Sequence, residues 1–243
     1  MNIKKDMKKM REGKVATSYH EAVSFFDKID LLKNENLTRK FNLKFSKFSS
    51  QFVQVFQKED YILTYKTAME QKDYDFVLKD DSFFQFTYSN DKYKNLRFAY
   101  YENPYNYDSY SDFLNFELEL SYEECGDIFL ADYEQYVSEA KMKNTVIPFR
   151  YDFDGDSKRY KELIHTGSHI HIGHNNEIRF PTKNLLTPLG FSIFVLRNKY
   201  PLEYENALKD ADLRYKILKE KESFKECDDA LFNDNDETQL YFI

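Results

Sequence analysis

The sequence predicts an α+β fold: a single domain with a central antiparallel sheet flanked by N- and C-terminal helices. Three observations carry that prediction. Apolar residues recur at helical spacing near both ends of the chain and at alternating, strand-like spacing between them. The core material is aromatic, with 20 Tyr and 23 Phe but no Trp, which suits strands and layered packing. No Pro/Gly-rich linker interrupts the 243 residues, and a chain of that length buries a sizeable core without staples. The expected organisation is a helical segment over 1–58, an α+β core over 59–201, and a C-terminal helix with an acidic tail over 202–243.

Taken in order, residues 4–33 read as helix, with a break near Gly13. Val23, Phe26, Ile29 and Leu32 recur every three residues, and Phe25 widens the stripe. His20 starts that stretch and reads as a surface or capping residue. Phe41, Leu43 and Phe45 alternate as a short strand would. FSSQFVQVFQ, DYILTYKTAMEQ and DYDFVLKDD read as helices. FFQFTYS and LRFAYYE then form a hairpin across the turn NDKYKN, with Phe84, Phe86 and Tyr88 on one face and Leu96, Phe98 and Tyr100 on one face. NPYNYDSYSD reads as a polar loop and DIFLADYEQYVSEAKMKN as a helix. FRYDFD, SHIHI and EIRF alternate as three short strands. LLTPLGFSIFVLRNKYP carries a helix with Thr187 as N-cap, Pro188 in the first turn and Tyr200-Pro201 as the stop. EYENALKDADLRYKILKEKES reads as one charged helix. The tail beyond it is acidic and reads as loose, with LYFI as an edge strand.

Composition removes several classes of function. The net charge of -7 argues against high-affinity nonspecific binding to nucleic acid. The charge is uneven: residues 1–70 hold 14 Lys+Arg against 9 Asp+Glu, a net of +5, so the remainder carries -12. A basic front can meet a phosphate backbone or an acidic partner, although a solvated surface is the simpler reading. Cys125 and Cys227 are far apart and form no CxxC, so reduced thiols are expected. The basic N-terminus has no apolar segment after it, and no apolar run approaches the ~20 residues of a membrane span. A cytosolic protein with no membrane partner is the expectation.

Four of the five histidines fall in HTGSHIHIGH, residues 165–174. Alternate side chains of a strand point to opposite faces. His169 and His171 therefore share one face, with Ile170 and Ile172 on the other. Arg150, Asp152 and Asp154 share a face opposite Phe149, Tyr151 and Phe153. Glu177 and Arg179 share a face opposite Ile178 and Phe180. GHNN is a short turn, so the second and third strands pair antiparallel. If the first strand lies beside them, one sheet face gathers both imidazoles, the carboxylates and both guanidiniums.

Two chemistries fit that set. Imidazoles near neutrality can move protons while arginines stabilise charge on a phosphoryl group, and RNA supplies its own 2′-hydroxyl nucleophile. In this reading His169, His171, Asp152, Arg150 and Arg179 are catalytic and Asp154 and Glu177 support them. Alternatively, His169 and His171 with Asp152 or Asp154, Asp152 first, are ligands for a divalent metal such as Mn, Fe or Zn. Cross-strand pairing that contributes stability alone is the bland reading. His174 reads as solvent-exposed in the turn, and His165 as a ligand of second rank. DFDGDS at 152–157 imitates the aspartate motif of haloacid-dehalogenase phosphatases, but only about 85 residues follow it, too few for that doubly wound sheet. It also imitates a calcium loop, yet Gly155 stands one place early and Leu163 occupies the bidentate Glu position.

FRYDFD, SHIHIG and EIRFPTKNLLTPLGFSIFVLRNKYP, with VLKDDSFFQF upstream, resemble a bacterial family known as domain of unknown function 2290. That resemblance implies no established activity. More loosely, an RYD segment followed by HxH is similar to small RNase-like toxins of bacterial toxin–antitoxin pairs, whose matching positions here are Arg150, Tyr151, Asp152, His169 and His171. Those toxins are shorter and have no counterpart of the N-terminal half. The likeness implies a nuclease-like toxin or phage-defence effector acting on RNA or single-stranded DNA, with an antitoxin or defence-complex protein as partner. A noncatalytic subunit of such a complex and a metal-dependent phosphoesterase are the rival expectations.

Overall fold

The computed structural model describes residues 12–38, 47–58, 60–89, 95–174 and 178–239. In chain order these form α1 (Glu12–Lys28), β1 (Leu32–Glu35), α2 (Ser50–Phe56), α3 (Tyr61–Glu70), β2 (Phe76–Leu78), β3 (Phe83–Ser89), β4 (Asn95–Tyr101), β5 (Tyr105–Asn106), α4 (Tyr110–Glu117), α5 (Tyr122–Cys125) and α6 (Leu130–Ser138). There follow β6 (Lys141–Met142), β7 (Phe149–Asp154), β8 (Ser168–Ile172), β9 (Arg179–Pro181), β10 (Asn184–Leu185), α7 (Pro188–Lys199), α8 (Pro201–Lys209), α9 (Ala211–Glu222), β11 (Lys225–Glu226) and a 3₁₀ turn, Asp236–Thr238. The mixed α and β architecture with its central antiparallel sheet is the one the sequence predicts.

Seven strands make the sheet in the order β1-β2-β3-β4-β7-β8-β9, each neighbour antiparallel. It is a meander with two helical excursions: α2 and α3 lie between β1 and β2, and residues 102–148, carrying α4–α6, lie between β4 and β7. The face bearing Phe84, Phe86, Phe98, Tyr151 and Ile170 is buried under α1, α7, α8 and α9. Its rings pack at short range: Phe76 and Phe84 centroids are 4.7 Å apart, Phe98 and Tyr151 5.5 Å. Such pairs add about 0.5–1.5 kcal/mol each beyond area burial. The opposite face divides. Over β2–β4 it is apolar and covered by Phe52 of α2 and by Tyr65 and Ala68 of α3. Over β7–β9 it carries the ionisable side chains.

Several elements depart from expectation. α1 includes Gly13 and ends at Lys28, Leu32 begins a strand, and residues 4–11 of the expected helix lie outside the described residues. His20 therefore lies in the middle of the helix, half-buried against Tyr19 at 5.2 Å between rings, away from either end. DYDFVLKDD holds strand β2 in place of a helix; Phe76, Val77 and Leu78 are all buried, which a central strand requires of both its faces. The charged C-terminal helix is two helices. Asp210 breaks it by capping α9, accepting from the amides of Asp212 and Leu213 at 2.9 Å each. Thr187 caps α7 as expected, accepting from Gly190 N. Phe41, Leu43, Phe45, residues 90–94 of the NDKYKN turn and LYFI lie outside the described residues.

The tail is not loose over residues 227–239. Cys227, Leu231 and Phe232 are buried with Tyr160 and Phe153 packed against them. Asp236 is buried, accepting from Tyr160 Oη at 2.6 Å and from Leu163 N at 2.8 Å. Gly167 N donates to Leu231 O at 2.8 Å. A Cβ on Gly167 would stand 2.7 Å from Leu231 Cβ, so only glycine lets the two segments touch. The acidic composition hides this because a buried Asp that accepts two hydrogen bonds looks, in sequence, like a solvated one. Both cysteines are free and buried. No helix among the described residues is long and apolar enough to cross a membrane.

Candidate functional site

Register builds the site. β4, β7, β8 and β9 lie side by side, with Arg97 opposite Asp152, Asp152 opposite His169, Arg150 opposite His171 and His171 opposite Arg179. Directly opposed residues share a face. Two imidazoles, a carboxylate and three guanidiniums are therefore gathered on the half of the sheet face that α2 and α3 leave uncovered.

Asp152 is the centre. Arg97 Nε donates to its Oδ1 at 2.9 Å and Arg150 Nε to its Oδ2 at 2.8 Å. His171 Nε2 stands 3.4 Å from the same Oδ2. The His169 and His171 rings meet edge to face, 4.9 Å between centroids, and His165 packs against His169 in the same way at 5.0 Å. His169 Nδ1 lies 3.0 Å from the carbonyl of Thr166. A carbonyl only accepts, so Nδ1 carries the proton and Nε2 has the free lone pair. His169 and His171 are 2% and 5% exposed, whereas the Arg97 side chain is 44% exposed. The cluster has a buried floor and a cationic rim.

Electrostatics follow from that geometry. Burial raises the pKa of Asp152, but Arg97, the His171 contact and Arg150 outweigh it and hold the carboxyl well below the usual range. Burial pushes His169 down to about 4, against the attraction of Asp152. Burial also lowers His171, again against Asp152, with Arg150 and Arg179 adding to the fall. At neutral pH both imidazoles are therefore uncharged. Asp152→Ala leaves Arg97 and Arg150 facing one another with no carboxylate between them. A broken, fully buried pair costs about 3–5 kcal/mol, and because both arginines reach solvent we expect about 2 kcal/mol here. Urea unfolding at pH 7 measures it; a change within about 0.5 kcal/mol, as at an ordinary surface site, would show that the carboxylate is not the keystone.

The expected residues fall as follows. Arg150, Asp152, His169, His171 and Arg179 come together. Asp154 is on the same face but at the end of β7, where it binds Arg159 Nη1 at 3.1 Å and Asp156 N at 2.9 Å. Tyr151 points to the opposite face, its hydroxyl 2.9 Å from Ser168 Oγ and 3.2 Å from Leu186 N. Glu177 lies outside the described residues. His174 is not solvent-exposed: it is half-buried, with its ring 5.2 Å from that of Tyr61. The turn that carries it bends at Gly173, whose φ of 90° suits a residue without a Cβ.

Two participants were not foreseen. Arg97 belongs to the hairpin and showed itself only as the one charged residue alternating with Leu96 and Phe98. Thr166 acts through its backbone carbonyl, which leaves no mark on residue type.

A family profile described as "Uncharacterized conserved protein (DUF2290)" matches residues 30–242. The chain belongs to that family. No curated protein and no solved structure matches it significantly, so the likeness to RNase-like toxins rests on the quoted residues alone. The matched span of this DUF2290 member includes all of β1 to β11 and hence every residue of the cluster. Among the described residues, Asp152, His169 and His171 form the group that could hold a metal ion, each offering one ligand atom, with those atoms all within 4.8 Å of one another.

Proposed function

We propose that the cluster is a phosphodiester-cleaving site that acts on RNA or single-stranded DNA, and that the protein is a nuclease-like effector. The observation that carries this reading is the charge arrangement. Three guanidiniums surround one carboxylate and two neutral imidazoles, in a protein whose net charge is -7. That local cationic rim is suited to a phosphate group, which Arg97, Arg150 and Arg179 would engage. Both imidazoles are uncharged at neutral pH, the form that accepts a proton.

On RNA, His171 takes the proton of the 2′-hydroxyl as that oxygen attacks the neighbouring phosphorus. The imidazolium so formed lies beside Asp152, which stabilises it. It then returns the proton to the departing 5′-oxygen, leaving a 2′,3′-cyclic phosphate. His169, more deeply buried and tied to Thr166, remains neutral and fixes the floor of the site. The test is a cleavage panel: labelled single-stranded RNA, single-stranded DNA and duplexes, with chelator and with added Mn²⁺ or Zn²⁺. Cleavage of single strands is expected; intact substrates under every condition would remove the reading.

A second reading has its own observation. The excursion between β4 and β7 shows Phe116 and Ile128 at 72% and 75% exposure, more apolar surface than a small three-helix cluster needs to show. That favours a protein partner seated on α4–α6, as an antitoxin or complex subunit would be. Co-purification of a protein that Phe116→Asp releases supports it.

A further inference from the structure

Asp152 and the two imidazoles have the spacing of a ligand set as well as of an acid–base pair. His171 Nε2 and Asp152 Oδ2, at 3.4 Å, are far apart for an N–H···O hydrogen bond. Two ligands at about 2.1 Å from one ion, subtending a tetrahedral angle, stand about 3.4 Å apart. The third ligand atom lies within 4.8 Å of both. A tetrahedral ion holds its ligands about 3.4 Å from each other, so closure of the third ligand on binding takes at most about 1.4 Å.

Three further features point the same way. The Thr166 carbonyl fixes the His169 tautomer with Nε2 unprotonated, the means by which metal-binding imidazoles are oriented. The two arginines use one Nε each on separate oxygens of Asp152, which leaves each oxygen a further lone pair. His165, packed on His169, has a buried Nδ1 with no hydrogen-bond partner among the described residues. An orphaned buried nitrogen asks for a ligand.

We propose that Asp152, His169 and His171 form a binding site for one divalent transition-metal ion of the zinc class, with the His165 imidazole packed against it. Two nitrogens in three ligands select such an ion over Mg²⁺ or Ca²⁺, which take oxygen. The three guanidiniums oppose a bare dication, so the affinity falls below that of closed structural zinc sites and an anion bound on the arginines strengthens it. The ion would supply Lewis acidity to the proposed cleavage, but the inference does not rest on that reading. Ion binding is measured without nucleic acid, and cleavage that persists in chelator would keep the nuclease reading while excluding the ion from it.

The experiment is calorimetric titration of the chelator-stripped full chain with Zn²⁺, Mn²⁺ and Mg²⁺, beside the double variant His169→Ala, His171→Ala. One Zn²⁺ per chain is expected, no Mg²⁺ binding, and a loss in the variant exceeding the roughly 10–100-fold that removal of an orienting group costs. Zn²⁺ uptake equal in the two proteins would overturn the assignment. Co²⁺ added to the wild type alone is the second arm, and it requires no variant to fold. Saturation at one equivalent with the visible absorption of a low-symmetry N/O site supports the proposal. A weak octahedral spectrum, or no saturation, sinks it.

Discussion

The double variant His169→Ala, His171→Ala is expected to cleave single-stranded RNA at least about 10³-fold more slowly than the wild type. A positioned proton-transfer group contributes typically 10²–10⁴-fold; His171 is that group in the proposed mechanism, and His169, its ring 4.9 Å away, fixes the floor beneath it. Their losses should therefore not add: His171→Ala alone should come close to the double variant. Arg179→Ala should behave differently. It is exposed, on the neighbouring strand and opposite His171, so in the proposed mechanism it would bind substrate and its loss should appear mainly in KM. The measurement is single-turnover cleavage of a labelled oligonucleotide, with circular dichroism to show that each variant is folded. Cleavage by the folded double variant at the wild-type rate would leave the cluster without a catalytic role.

Acid should destabilise the metal-free protein well before its carboxylates titrate. His169 has an ordinary pKa near 6.5 when unfolded and about 4 when folded. Between those values the unfolded chain binds the proton and the native one does not. Stability is thus present in full above about pH 6.5 and is lost as pH falls toward 4. At about 1.4 kcal/mol per pH unit the loss approaches 3 kcal/mol. His171 is shifted in the same direction and steepens the slope. Asp152 contributes on the other side of pH 4: its depressed pKa gives stability that persists above the unfolded carboxylate value and disappears only as pH falls further. Urea midpoints of chelator-treated protein at pH 7.5, 6, 5 and 4.5 will show this, and His169→Gln should flatten the curve. Parallel slopes for the two proteins would mean that His169 is protonated in the native state.

Much of the site was legible because β7 and β8 alternate so strictly. Residues two apart share a face whatever the rest of the fold does, so Arg150 with Asp152 and His169 with His171 followed from spacing alone. The partnership of those strands needed one further step, and register supplied it. Arg97 was out of reach for a physical reason: it joins Asp152 across 55 positions of chain, through a strand pairing that local pattern does not encode. β2 was missed because three apolar residues among aspartates carry no period, and only burial on both faces makes them a strand. The break at Asp210 was visible in principle, since an Asp two and three residues before Asp212 and Leu213 is a capping signal, but it sat inside a run of good helix formers.

The segment that carries Leu231 and Asp236 has a bearing on when the protein can act. It braces the loop from Tyr160 to Gly167, and through it the carbonyl that sets His169. Synthesis runs from the N-terminus, so both imidazoles leave the ribosome long before their brace does. A nascent chain, or one clipped ahead of residue 231, would carry Arg97, Asp152 and both imidazoles and still lack the brace that sets them, so the cluster takes its geometry only after the C-terminal segment has been made and seated.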